Sequence, residues 1–306
     1  MSDRAPGHPP HPPLPPRSTS CTTPHPTGDI DPFFVFDYAP LHAADDLSTD
    51  QRLTTYWDVE AGHRGPAPVP PWVVQDSGAI DTELGVLKTG KEADVFLLER
   101  TASTPGTDAA CLLAAKRYRD ADHRSFHRSA RYTEGRGVRR SRDQRALAKG
   151  TTYGRAVAAG RWAHAEWEAM CHAWEVGLPV PYPVSIQGTE LLMEFVGEPD
   201  GTAAPRLAQV TGDPPLLAHL WDQTRDVVIG LAGQGWAHGD LSAYNLLVHG
   251  ETLVVIDLPQ VVDVVANPQG ADLLHRDCTT VTAWFLRRGL DADAEELFTE
   301  ALALAL

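Results

Sequence analysis

Asp240, Asn245 and Asp257 are the side chains in this sequence best suited to do chemistry together. The first two belong to the run His238-Gly239-Asp240-Leu241-Ser242-Ala243-Tyr244-Asn245, and the third closes the apolar run Leu253-Val254-Val255-Ile256, twelve residues after Asn245. An Asp, an Asn five residues on and a second Asp beyond the next strand is a spacing that suits phosphoryl transfer. That chemistry needs an acceptor hydroxyl to be oriented and a divalent cation to be held against phosphate oxygens whose charge grows during transfer. Asp240 takes the base or orienting role. Asn245 offers a neutral oxygen and Asp257 an anionic one, a donor set for a hard cation such as Mg2+ or Mn2+. Asp and Asn also cap ordinary turns, but a turn accounts for neither Asp257 nor the elements upstream.

Three upstream elements supply what a nucleotide would need. Thr89-Gly90-Lys91-Glu92-Ala93-Asp94-Val95-Phe96 lies between two strand-like runs, where a glycine-containing turn brings backbone N–H groups and Lys91 over phosphates. With one glycine it reads equally well as a surface hairpin. Lys116 ends the run Cys111-Leu112-Leu113-Ala114-Ala115, and Glu166 sits on the next amphipathic helix. A lysine so placed, paired with that glutamate, holds the α- and β-phosphates; a solvated helix face is the plainer reading of Glu166 alone. Leu191-Leu192-Met193-Glu194-Phe195-Val196 falls where a connection between two lobes belongs, with Met193, Glu194 and Val196 beside an adenine.

The elements that must position these residues divide into two halves. Short runs at Gly85-Val86-Leu87, Val95-Phe96-Leu97-Leu98 and 111–115 predict three antiparallel strands. Residues 162–176 carry Ala163, Trp167, Met170 and Trp174 on one stripe and predict a helix stopped by Gly177 and Pro179. Further elements follow: a strand over 191–196, an apolar helix over 215–234, a strand over 253–256 and two helices near 271–288 and 291–305. A β-rich first half and an α-rich second half predict an α+β, two-lobed fold with a cleft between.

Composition bounds what else the chain does. The net charge is −15, which argues against a general nucleic-acid coat protein. Yet 14 of the 26 Lys and Arg fall within residues 116–161, against Asp120, Asp122, Glu134 and Asp143. This stretch reads as a basic flexible loop, about 117–161. Nine of the 25 prolines lie in residues 1–26, so 1–29 reads as a disordered Pro-rich tail. Residues 30–80, interrupted by Pro66, Pro68, Pro70 and Pro71, read as a short helical or irregular preface. Cys21, Cys111, Cys171 and Cys278 are scattered, which suggests no zinc site and no disulfide framework. With no long apolar run, the expectation is a cytoplasmic protein without membrane contact.

Taken in order, Gly90-Lys91-Glu92-Ala93-Asp94-Val95-Phe96, Trp162-Ala163-x-x-Glu166, Leu192-Met193-Glu194-Phe195-Val196-Gly197, the His238 to Asn245 run and Ile256-Asp257-x-Pro259-Gln260 resemble the RIO family of atypical serine/threonine kinases. The likeness spans about residues 80–290, includes Arg276-Asp277-Cys278, and is nearer the branch without a winged-helix domain. It implies a bilobal protein-kinase-like fold over 81–306, with an N-lobe about 81–192 and a C-lobe about 197–306. The usual activation loop and peptide-binding subdomains would be lacking. It implies ATP as co-substrate, Asp240 as base, Asn245 and Asp257 as metal ligands, and Asp257 as the site of a transient aspartyl-phosphate. Nucleotide contacts fall on Lys116, Glu194 and Val196. The basic loop is then a place for autophosphorylation, at Ser125, Ser129 or Thr133, or for contact with RNA or an acidic protein.

Two departures from conventional kinases stand out: Gly239 replaces the Arg before the catalytic Asp, and Leu258-Pro259-Gln260 replaces Phe-Gly after the metal Asp. Three other readings compete. A small-molecule phosphotransferase of the aminoglycoside kinase type also carries His-Gly-Asp-x-x-x-x-Asn, but the Gly90 turn, Pro259-Gln260 and the 49 residues left after Asp257 count against it. An ATP-hydrolysing switch on a ribosome-related assembly uses the same residues. A catalytically dead scaffold would commonly have lost one of Lys116, Glu166, Asp240, Asn245 or Asp257.

Overall fold

The computed structural model describes residues 47–103, 109–119 and 152–306, with helical side chains from residue 158. All of these fall within one compact unit, residues 41–306. The Pro-rich tail, residues 30–46, most of the basic loop and the acceptor candidates Ser125, Ser129 and Thr133 lie outside the described residues.

Alternating apolar side chains build the first layer. Strands β1 (Gln51–Leu53), β2 (Ile80–Thr89), β3 (Ala93–Thr101), β4 (Ala110–Tyr118), β5 (Pro183–Gln187) and β6 (Glu190–Glu194) form one six-stranded sheet in the order β1-β2-β3-β4-β6-β5, paired antiparallel throughout. The run 111–115, apolar without a break, is buried at every position except Leu112, which is half-buried. Cys111, Leu113 and Ala115 join a cluster with Tyr56, Val73, Val74 and Tyr182. Ala114, Lys116 and Tyr118 turn the other way, as the period of two requires.

Helix α1 (Thr152–Glu175) crosses beside the sheet, and Gly177, at φ 80°, ends it in the left-handed conformation that favours glycine. It begins ten residues before the expected 162, so the last part of the predicted loop, 152–161, is helical. Ala156, Ala158, Ala159 and Ala163 are good helix formers that carry the turn outward. The preface takes the irregular of the two forms expected for it. Among its described residues there is no helix; it runs as turns plus β1, which pairs with β2 and so makes the sheet begin before residue 81. Tyr56, Val73 and Val74 have buried apolar area to place there, while the prolines deny them a helix.

The second layer is helical. It comprises α2 (Pro214–Ala232), α3 (Gly270–Leu286) and α4 (Ala294–Ala305), with hairpin β8 (Leu246–His249) and β9 (Thr252–Val255), and the short pair β7 (Trp236–Ala237) and β10 (Val262–Asp263). Asp213 caps α2 by accepting from Leu216 N, with Pro214 and Pro215 at its first positions. Asp293 caps α4 by accepting from Glu295 N and Glu296 N. Leu220, Val228, Leu246, Leu253, Val281 and Phe285 pack between these elements. Among the described residues no helix is long and apolar enough to cross a membrane.

Candidate active site

Between the sheet and the helical layer lies a cavity of about 1190 Å3, large for a small-molecule site. Sheet residues on its wall include Gly90, Lys91 and Glu92 from the β2–β3 turn, Val95 from β3, and Lys116 and Tyr118 from β4. Glu166 of α1, the β6 exit (Met193, Glu194, Val196), Asp240 and Asp257 complete the parts foreseen from sequence. Thr89 and Asn245 are not on this wall. Thr89 directs its hydroxyl to Asp94 at the base of the turn, and Asn245 is buried beneath the loop that carries Asp240.

Lys116 is the centre of the site. Its Nζ donates to Oε1 of Glu166 at 2.6 Å and to Oδ1 of Asp257 at 2.7 Å. Glu166, expected on a solvated face if read alone, lies in the buried stripe with Ala159, Ala163 and Met170 and is 1% exposed. Its second oxygen accepts from the Tyr118 hydroxyl. Burial pulls the lysine toward neutrality, but the Asp257 and Glu166 carboxylates outweigh it and hold Lys116 above its ordinary range. In return Lys116, against burial, lowers Asp257 to about 2. Burial and then the Glu166 charge push the Tyr118 phenol well up, so it stays a proton donor.

Hairpin β8–β9 sets the distance between Asn245 and Asp257. Its last pair is Leu246 opposite Val255, and the next residues are joined by Ile256 N donating to Asn245 O at 3.0 Å. Asn245 Nδ2 donates to the Asp240 carbonyl at 2.9 Å, so the carboxamide is fixed in direction. Asp257 follows at φ 72°, in the left-handed region, where Asp is tolerated better than most residues. Gly239, at φ 83°, has the same conformation, which gives a backbone reason for glycine where conventional kinases carry Arg.

The loop bearing Asp240 is anchored from below by a residue to which sequence reasoning gave no role. Asp277, buried in α3 within the stripe Leu274, Cys278 and Val281, accepts from Gly239 N at 2.7 Å and from Leu241 N at 2.9 Å. Burial raises its carboxyl despite these donors. Arg276 donates to the Gly239 carbonyl. The His238 ring accepts from Asp240 N and faces the Ile256 carbonyl at 3.2 Å, which favours the tautomer protonated on Nε2. An acid in an otherwise apolar helix stripe was the available signal for Asp277. For Tyr118 it was the strand period, two residues beyond Lys116.

Gly90 keeps its turn closed because a Cβ there would meet the Ala93 carbonyl oxygen at 2.8 Å. Glu92, on the same turn, is raised by burial and then by the Asp257 charge. At the β6 exit, Glu194 caps Tyr182 N with its carboxylate at 3.0 Å, and the Val196 carbonyl accepts from Ala204 N. Among the described residues no cluster of three or more His, Cys, Asp or Glu could alone enclose a metal ion. Asn245 and Asp257 each carry a hard oxygen, a pair that would suit Mg2+ shared with phosphate and water rather than a cation caged by protein.

Comparison with known proteins is consistent with this arrangement. The model of the RIO domain family matches residues 106–297. The RIO-type serine/threonine-protein kinase Rio1 of Haloferax volcanii is 38% identical over 226 residues, 74% of this chain and 70% of that one. The serine/threonine-protein kinase RIO1 of Caenorhabditis elegans is 31% identical over 67% of this chain, which spans 37% of the nematode protein. Among solved structures, the Rio2 kinase of Chaetomium thermophilum in its ADP/Mg2+-phosphoaspartate complex superposes with a TM-score of 0.52 at 21% identity, covering 72% of this chain and 62% of that one. The fold is therefore protein-kinase-like, with a sheet lobe and a helical lobe.

Proposed function

We propose, on the premise that this chain belongs to the RIO family of serine/threonine protein kinases, that it transfers the γ-phosphoryl group of ATP to Ser or Thr hydroxyls, its own included, in a Mg2+-dependent reaction. The observation that carries this is Lys116, bonded at once to Glu166 and Asp257 across a cavity whose floor presents Asp240. Lys116, held charged, contacts the α- and β-phosphates, with Glu166 and Tyr118 fixing its position. Gly90 and Lys91 cover the phosphates, and the backbone at Glu194 and Val196, beside Met193, receives the adenine. Asp240, exposed at the cavity floor, orients the acceptor hydroxyl and accepts its proton. Asn245 and Asp257 hold Mg2+, or Mn2+ in its place, and the cation supplies charge neutralisation at the phosphate oxygens.

A second reading has its own support. Asp257 stands in the left-handed conformation with 38% of its side chain exposed to the cavity, and the Rio2 kinase structure is described as a phosphoaspartate complex. An ATPase that passes through phospho-Asp257 would act as a switch on an assembly. The catalytic domain then runs over 81–306 together with the β1 segment, after a Pro-rich tail over 1–29. The basic stretch 116–161 suits contact with RNA or an acidic protein, and the cytoplasm is the fitting compartment.

One experiment separates these readings. The protein and its Asp240→Ala and Asp257→Asn variants are incubated with γ-labelled ATP and Mg2+, and the incorporated label is tested for acid and hydroxylamine stability. Acid-stable label on Ser or Thr, absent from both variants, is the expected result. Hydroxylamine-labile label that needs Asp257 selects the switch. No label and no hydrolysis above the variants would defeat both.

A further inference from the structure

Two cations on the cavity wall are left out of the reading above. Lys88 lies at the end of β2, and Arg206 lies just before the short helical turn Leu207–Gln209. In a flat strand Leu87 and Lys88 would face opposite sides of the sheet, yet both line the cavity. The pairing of β2 with β3 shows why: its register shifts between Val86 and Lys88. A bulge of this kind re-aims a side chain, and here it brings Lys88 round to the cleft mouth while Leu87 keeps its packing against the core.

Arg206 comes from the opposite wall, and its backbone is tightly held. Its N–H donates to Gln209 Oε1 at 2.9 Å, it forms an isolated bridge with Leu247, and the neighbouring Pro205 carbonyl accepts from Val248 N at 2.8 Å. These contacts tie it to hairpin β8–β9, whose open end carries Asn245 and Asp257. Among the described residues neither Lys88 nor Arg206 forms an ion pair, although the chain as a whole carries a charge of −15. The two cations also oppose each other: burial and then Arg206 depress the ammonium of Lys88. Asp257 and Glu166, on the same cavity, offset this repulsion only in part, so an anion entering from solvent relieves it further.

We infer that Lys88 and Arg206 form a second grip on the phosphate tail of the nucleotide, closing on it from the two walls of the cleft mouth while Lys116 holds it from within. The inference rests on the cleft being the nucleotide site. It makes the pair determinants of phosphate-dependent affinity, separate from adenine and ribose recognition.

The test measures dissociation constants of the full chain with Mg2+ for ATP, ADP and adenosine by calorimetry. It compares the parent with Lys88→Gln and Arg206→Gln, and with the charge-conserving Lys88→Arg and Arg206→Lys. Each Gln substitution should weaken ATP about threefold to tenfold, move adenosine less than about twofold, and flatten the salt dependence of ATP binding. The charge-conserving variants should stay within about twofold of the parent. Unchanged ATP binding, or equal losses for ATP and adenosine, would overturn the inference, as would losses as large in the charge-conserving variants. A parent that binds neither adenosine nor ATP would defeat the reading of the cleft itself, and this inference with it.

Discussion

Replacing Lys116 by Met separates two carboxylates from the cation they share. Glu166, 1% exposed and 2.6 Å from Nζ, would keep only the Tyr118 hydroxyl. Removing one side of a buried pair costs about 3–5 kcal/mol, and the surviving hydroxyl places this case near ~3 kcal/mol. Asp257 adds a smaller amount. It lies at about 2 against an ordinary 3.8, chiefly because of Lys116. At face value that gap is worth roughly 2 kcal/mol, but with 38% of its side chain exposed, solvent screening leaves about 1 kcal/mol.

The Asp257 share has a defined pH window. A carboxyl depressed in the folded state stabilises the fold above the unfolded value of about 4 and loses that contribution as pH falls toward about 2. In urea unfolding followed by tryptophan fluorescence, Lys116→Met should therefore cost about 4 kcal/mol near neutral pH, and the gap from the parent should narrow by about 1 kcal/mol as pH falls from about 5 to about 2.5. Adding Glu166→Gln removes the buried charge and should recover about 1–2 kcal/mol. A neutral-pH loss under about 1 kcal/mol, a gap that does not narrow in acid, or a double variant no better than the single one would refute the shared-cation account.

Other substitutions probe the remaining supports. Gly90→Ala puts a Cβ 2.8 Å from the Ala93 carbonyl oxygen, so steady-state kinetics should show KM for ATP raised several-fold, with unfolding free energy lowered by no more than about 1 kcal/mol. Asp277→Asn leaves one of the Gly239 and Leu241 N–H groups without its acceptor. It should lower stability by about 1–3 kcal/mol and turnover by about tenfold or more, with nucleotide affinity less affected. Tyr118→Phe removes a donor to Glu166, and calorimetric melting should register a loss of about 1–2 kcal/mol. Chelation by EDTA should abolish phosphoryl transfer, with activity returning on addition of Mg2+.

The order of chemistry along the chain was legible because each part depends on local pattern. The Asp240–Asn245 spacing belongs to one loop, the apolar run before Asp257 to one strand, and Lys116 to the end of another. Helices expected over 215–234 and near 271–288 and 291–305 match α2, α3 and α4, and the strands around the Gly90 turn were read from composition and turn signals. Where local pattern left a choice open or gave no signal, the deciding contacts are distant in sequence. Glu166 is a buried partner rather than a surface charge because β4 brings Lys116 and Tyr118 to it, 50 and 48 residues away. Asp277 reads as one acid in a helix until the fold sets Gly239 and Leu241, 38 and 36 residues earlier, above it. The aim of Lys88 depends on a bulge in β2, and that of Arg206 on its bridge to Leu247. Periodicity tells which face of an element a side chain occupies. Only packing decides what that face meets, since burial, register and counter-charge are properties of the partners an element acquires on folding.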